Sequence, residues 1–139
     1  MNITTMHTNY HPSEDDDYMN ERQLAWFRRR LIEWRGDLLA ESEETLSHLK
    51  EDSHQHPDQT DRATDESDRA LELRTRDRER KLIAKIDEAL RRIDDGSYGY
   101  CEETGEPIGI KRLEARPIAT LCLEAQERHE KMERVQRDD

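Results

Sequence analysis

Pro57 constrains this chain more than any other residue. It has no N–H and disfavours helix in the residue before it, so His56-Pro57-Asp58-Gln59-Thr60-Asp61 must be a break. On both sides, apolar residues recur at alternating three- and four-residue steps. Leu24, Phe27, Leu31, Trp34 and Leu38 do so before the break, and Ile83, Ile86, Leu90 and Ile93 after it. This is the a/d spacing of paired helices. It predicts a mainly α protein built on a long antiparallel coiled-coil hairpin over residues 20–95, with its tip near 56–63. Toward the tip the seam turns polar, with Ser42, Thr45 and His48 on one side and Asp65, Asp68 and Glu72 on the other. Core formation alone does not account for an apolar base and a polar tip. The pattern suits an arm that pushes its tip into a partner.

Composition agrees with a narrow core. Of the 139 residues only 32% are hydrophobic and 41% are charged. Paired helices tolerate this because each buries only a stripe. The formal net charge of −11 disfavours direct DNA binding, which draws on an excess of Lys and Arg against phosphate. No run approaches the ~20 apolar residues of a membrane span. Residues 1–18 lack the basic and apolar regions of a signal peptide. Two cysteines at this length do not make a disulfide scaffold, so a reducing cytoplasm is the expected location. No nucleophile–base set or phosphate-cradling glycine loop is present, and the chain is not expected to be an enzyme.

Residues 1–19, with the acidic run Glu14-Asp15-Asp16-Asp17, read as a flexible, solvated leader. Asn20 is placed to cap the first helix, and Gln23 completes a capping-box pattern. The helix is expected to reach about Ser53, roughly 50 Å at 1.5 Å per residue. Charge along the hairpin is uneven. Lys50 to Asp68 holds seven acids against two bases, whereas Arg69 to Arg92 holds nine bases against five acids. Residues 96–139 form the last segment. Ser97 to Ile110 is glycine-rich and reads as a small β-hairpin turning at Thr104-Gly105-Glu106. Pro117 breaks the chain again, and a C-terminal helix is expected from Ile118 to about Val135.

Twenty residues separate Cys101 from Cys122. A four-cysteine ribbon uses two C-x-x-C knuckles, each gripping one side of a tetrahedral ion. Here each knuckle keeps its first cysteine, while Thr104 and Ala125 stand at the second positions. Glu102, Glu103 and His129 are the remaining candidate ligands. The expectation is a small zinc-ribbon-like domain without zinc, held by Tyr98, Tyr100, Ile108, Ile110, Leu113, Ile118 and Leu121, with Thr104 serving the turn backbone and Ala125 packing beside Cys122.

These stretches resemble the DksA/TraR family. The resemblance runs from Tyr18 to about Val135. It rests on Tyr18-Met19-Asn20-Glu21, on Leu71-Glu72-Leu73-Arg74 with Arg78-Glu79-Arg80-Lys81-Leu82-Ile83, and on Tyr98-Gly99-Tyr100-Cys101. Ile108-Gly109-Ile110-Lys111-Arg112-Leu113-Glu114-Ala115-Arg116-Pro117 completes the signature. The departures at Thr104 and Ala125 imply the zinc-independent branch, suited to zinc starvation. The resemblance implies a bacterial stringent-response regulator that binds RNA polymerase and enters its secondary channel. There it destabilises open promoter complexes together with ppGpp, repressing ribosomal RNA promoters and assisting some amino-acid biosynthesis promoters. The family's tip motif falls on Asp58, Asp61 and Ala63. Its ppGpp-binding positions fall on Arg78, Leu82, Lys85 and Arg116, and a family lysine is Gln126 here.

Three other readings differ in what they require. A Gre-like factor would stimulate transcript cleavage with its tip acids, but the ribbon remnant does not suit a Gre-type C-terminal domain. A coiled-coil adaptor would keep its apolar seam to the tip. A thiol sensor at Cys101 and Cys122 would need a lowered thiol pKa, which sequence cannot show.

Overall fold

A computed structural model describes residues 10–52 and 59–138; the side chains of 48–52, 59–63 and 138 fall outside the description. Four helices follow in order: α1 Glu21–Asp52, α2 Gln59–Asp95, α3 Ile110–Ala115 and α4 Leu123–Asp138. Among the described residues there is no β-strand, only one antiparallel bridge between Tyr100 and Pro107. The chain divides into two compact units, residues 1–31 with 89–139, and residues 32–88. The division therefore falls within the hairpin and leaves its base with the C-terminal segment.

In the first unit, the Gln23 N–H donates to Asn20 Oδ1 at 2.8 Å, which is the expected N-cap. The return arm of the box differs. Gln23 Oε1 accepts from the Met19 N–H at 2.7 Å, and its amide nitrogen donates to the Ser13 carbonyl at 3.0 Å. Gln23 is fully buried, and these bonds satisfy it. The leader is therefore tied down from Tyr10 onward, so the expectation of a flexible leader does not extend to residues 10–19. The Arg22 guanidinium lies 4.1 Å from the Tyr10 ring centre, and the His11 imidazole lies 3.0 Å from Glu114 Oε1. His11 also meets Trp26 edge-on.

The core of this unit is aromatic. Phe27 is fully buried, 5.0 Å from Trp26 and 5.6 Å from Tyr98 between ring centres. Leu31, Ala89, Ile108, Ile110, Leu113, Ile118, Ala119 and Ala125 complete it. Tyr100 and Leu121, expected inside, are more accessible; Tyr100 pairs edge-on with Tyr18 instead. α2 ends where Asp95 Oδ1 accepts from both the N–H and the hydroxyl of Ser97. These bonds hold the Asp95 carboxyl below its usual range. Arg28 pairs with Asp94 across α1 and α2.

The second unit holds the rest of the two long helices. Leu38 and Ile86 are its buried apolar residues. Arg35 Nε meets Asp87 Oδ1 at 2.7 Å and Nη2 meets Oδ2 at 3.5 Å, so α1 and α2 run antiparallel. The seam turns polar toward the tip: Ser42 and Thr45 are half-buried on α1, as are Asp65 and Glu72 on α2, whereas Asp68, expected beside them, is exposed and the His48 side chain lies outside the description. Glu79 is 7% exposed, and Oε2 of both Glu72 and Glu79 is buried without a hydrogen-bond partner. Lys81 and then Arg80 hold the Asp77 carboxyl below its usual range on the outer surface of α2.

Two boundaries differ from expectation. α3 was not foreseen, because six residues are too few to show a helical period. α4 begins at Leu123 rather than Ile118. Residues 118–122 are committed elsewhere: the Thr120 carbonyl accepts from the Glu102 N–H at 2.9 Å, and the Leu121 carbonyl accepts from Arg112 Nε at 3.0 Å.

Candidate functional site

Tyr18 organises the glycine-rich turn. Its hydroxyl donates to the Gly99 carbonyl at 2.6 Å and accepts from the Gly109 N–H at 2.9 Å. Burial, above all, pushes its phenol above the usual range and keeps it a neutral donor. Gly99 and Gly109 stand at the two ends of the turn, where the Ile108 N–H also donates to the Gly99 carbonyl at 2.8 Å. Tyr98, 1% exposed, donates its hydroxyl to the Pro117 carbonyl at 2.7 Å, and burial raises its phenol too. Sequence reasoning missed Tyr18 as a hub; the glycines at 99 and 109 were the available signal.

The knuckle forms around Cys101. Its N–H donates to the Glu106 carbonyl at 2.8 Å, and its carbonyl accepts from the Gly105 N–H at 2.9 Å. Thr104 Oγ1 accepts from the Glu106 N–H at 3.2 Å, the turn role expected of it. Burial alone would raise the Cys101 thiol. The Thr104 hydroxyl and the N–H groups of Cys122, Thr104 and Glu103 outweigh it, and hold the thiol at about 6. Thr104 Oγ1 also lies 3.9 Å from Cys122 Sγ. Ala125 is fully buried in the same unit. His129 Nε2 pairs with Glu103 Oε1, and Arg92 Nη2 lies 3.5 Å from Glu102 Oε1. Both carboxylates are thus engaged in ion pairs.

The other candidate residues lie apart in the chain. Asp58 is outside the described residues. Asp61 and Ala63 belong to the first turns of α2, with side chains outside the description. Because α2 starts at Gln59, Asp61 is within the helix rather than its cap. Arg78, Leu82 and Lys85 follow at steps of four and three along α2 and so share one face. Arg78 and Lys85 are exposed, and Leu82 is half-buried. Arg116 is exposed at the end of α3, in the first unit; its N–H donates to the Arg112 carbonyl at 2.8 Å. Gln126 donates to Glu130 Oε1 at 3.3 Å.

Comparison with known proteins decides the family. Residues 23–93 match the N-terminal domain of DnaK suppressor protein DksA, and residues 96–131 match the prokaryotic dksA/traR C4-type zinc finger. The chain belongs to the DksA/TraR family. It is 64% identical over 132 residues to a Caulobacter vibrioides protein named RNA polymerase-binding transcription factor DksA, covering 95% of this chain and 93% of that one. The Escherichia coli K12 protein of the same name is 49% identical over 115 residues, covering 83% and 76%. The structure of transcription factor DksA2 from Pseudomonas aeruginosa superposes with a TM-score of 0.80 at 48% identity, covering 86% and 94%. Family membership makes the chain a non-enzymatic regulator.

The zinc-finger match corrects the expectation of a zinc-free segment, because the matched family is a C4-type zinc finger and points to zinc binding. The expectation had equated the two missing cysteines with a missing metal. In this structure the turn after Cys101 is closed by hydrogen bonds, with Thr104 at the second position of the knuckle. The donor set of this chain does not complete that family's tetrahedron. Thr104 and Ala125 stand at two positions, and among the described residues no group of three or more His, Cys, Asp or Glu is placed to hold a metal ion. Also among the described residues, no helix is long and apolar enough to cross a membrane.

Proposed function

We propose that the chain binds RNA polymerase and regulates transcription initiation as a helical arm that enters the secondary channel. Carrying this reading is the 64% identity, over 95% of the chain, to a relative named as an RNA polymerase-binding transcription factor. The paired helices α1 and α2, whose seam turns polar along the arm, fit that role. The arm acts in the cytoplasm through the polymerase, with no direct DNA or membrane contact of its own. At its tip Asp58 and Asp61, with Ala63, bring carboxylates to the metal-rich active centre. A carboxylate pair beside a bound cation acts through strong local charge. ppGpp acts with the protein to destabilise open complexes, repressing ribosomal RNA promoters and assisting some amino-acid biosynthesis promoters. Arg78 and Lys85, with Leu82, on one face of α2 in the second unit, and Arg116 in the first, are each assigned contacts to its phosphates, as cationic side chains suit.

In vitro transcription from a ribosomal promoter, with and without ppGpp, tests this reading. Wild-type protein is expected to repress, and ppGpp to deepen the repression. The double variant Asp58→Asn, Asp61→Asn should bind polymerase with little change and lose repression; normal repression would remove the tip assignment. Lys85→Ala should repress alone as the wild type does, with a smaller added effect of ppGpp. A ppGpp response equal to wild type would remove Lys85 from the alarmone surface.

A further inference from the structure

We propose that the outer face of α1 around Gly36 is a self-association surface, where two copies of this chain cross antiparallel in a reversible dimer. Gly36 is the residue that calls for an occupant. It stands inside a 32-residue helix, where glycine is less favourable than alanine. No contact within the chain requires it: a Cβ added there would meet nothing within 4 Å. Ile32, four residues before it, and Leu39, three after, are 50% and 41% exposed, and half-buried Leu46 follows at the next seven-residue step. Leu31 and Leu38, one residue earlier in each case, are buried. Ile32 and Leu39 therefore lie about 100° round the helix from that buried stripe. α1 carries a second apolar repeat, turned to solvent, with its one glycine at the centre.

A two-fold symmetric contact needs a patch that is its own complement. With the axis at Gly36, Ile32 of one copy comes beside Leu39 of the other, to within about one residue's rise, and the contact occurs twice. With no Cβ on either glycine, the two backbones approach closely at the crossing. The charges match as well. Arg29 and Glu43 are exposed, seven residues before and after Gly36 on α1, so each arginine meets the glutamate of the other copy. Arg29 already interacts within its own chain, and the pairing adds to that interaction. A parallel pair would set Arg29 on Arg29 and Glu43 on Glu43, so charge selects the antiparallel direction. The contact closes at two copies. One helix crossing is a small interface, so the dimer is weak and the dilute chain is a monomer. None of this depends on the polymerase reading.

The test is sedimentation equilibrium of the full-length chain from about 5 µM to about 1 mM, the range in which a weak dimer becomes populated. The average mass is expected to rise from one chain toward two and no further. Leu39→Glu should stay monomeric throughout. Gly36→Ala separates the surface from the scaffold. It should raise the thermal midpoint of the dilute chain, because alanine favours helix, and weaken association about tenfold or more, because the backbones are pushed apart. Arg29→Glu and Glu43→Arg should each weaken association, and the double variant, whose pairs re-form with reversed sign, should restore it. All these positions are exposed, and circular dichroism checks that each variant keeps its helices. Four results would overturn the surface: a wild-type monomer at every concentration, which would leave the face to a different protein; a mass that climbs past two chains; Gly36→Ala associating as the wild type does; or a double charge variant no tighter than the single ones.

Discussion

Gly99→Val is expected to destabilise the unit formed by residues 1–31 and 89–139 by about 2–5 kcal/mol, the sum of backbone strain and overpacking. Gly99 has φ +92, where L side chains are strained. A Cβ there would stand 2.8 Å from Met19 Cγ, 3.0 Å from Met19 Sδ and 3.2 Å from the Tyr18 hydroxyl. Neither neighbour retreats freely. Tyr18 is held by two hydrogen bonds to the turn it touches, and the Met19 side chain is packed in the core, 9% exposed. Gly105→Ala is the control. Its φ of +74 is similarly left-handed, but no atom lies within 4 Å of the added Cβ. That variant should show the conformational cost alone, about 1–2 kcal/mol. Urea unfolding followed by circular dichroism measures both. Equal losses in the two variants would mean that the close approach of Met19 and Tyr18 contributes nothing.

The contrast between Gly99 and Pro57 shows which kinds of constraint a sequence displays. Pro57 acts on its own neighbours, so a division into two helices was legible: α1 ends at Asp52 and α2 begins at Gln59, while Pro57 itself lies outside the described residues. The seam was legible for the same reason: its period is local. Phe27, Leu31, Leu38 and Ile86 are all buried. Asn20 as a cap needed only the three residues after it. Gly99 takes its meaning from Met19 and Tyr18, some eighty residues earlier, and no local pattern announces that meeting. Arg28 with Asp94 and Arg35 with Asp87 are alike in this respect. Each pair is visible only once the register of the two helices is known, although both follow from one register, since the partners step by seven residues in opposite directions.

The C-terminal segment was legible in its motif and less so in its structure. Cys101 and Cys122 were found by spacing, and Thr104 and Ala125 by the spacing they interrupt. Counting ligands from sequence led to an expectation of no zinc, which the C4-type zinc finger match corrects. What spacing could not show is that backbone N–H groups converge on the Cys101 sulfur. That arrangement depends on the Glu103-Thr104 turn meeting residue 122, and it consumes residues 118–122, whose apolar character had suggested more helix. The hydrogen bond from Glu102 to the Thr120 carbonyl explains why the helix waits until Leu123.

Phe27→Ala should cost about 3–5 kcal/mol, the usual loss for removing a buried aromatic ring from a core. Phe27 is fully buried on α1, between Trp26 at 5.0 Å and Tyr98 at 5.6 Å. Two connections are lost with it: the ring's packing against Tyr98, and through Tyr98 the support of its hydroxyl bond to the Pro117 carbonyl. A domain stability of about 5–15 kcal/mol leaves little margin for such a loss. Leu39→Ala, at a residue 41% exposed on the same helix, should stay within about 0.5 kcal/mol and controls for helix propensity. Denaturant midpoints of the two variants decide the matter. If Phe27→Ala costs no more than Leu39→Ala, the aromatic contact between α1 and the start of the glycine-rich turn is not what holds this unit together. Its stability would then rest on the aliphatic set around Leu113 and Ile118, where truncation should be the larger loss.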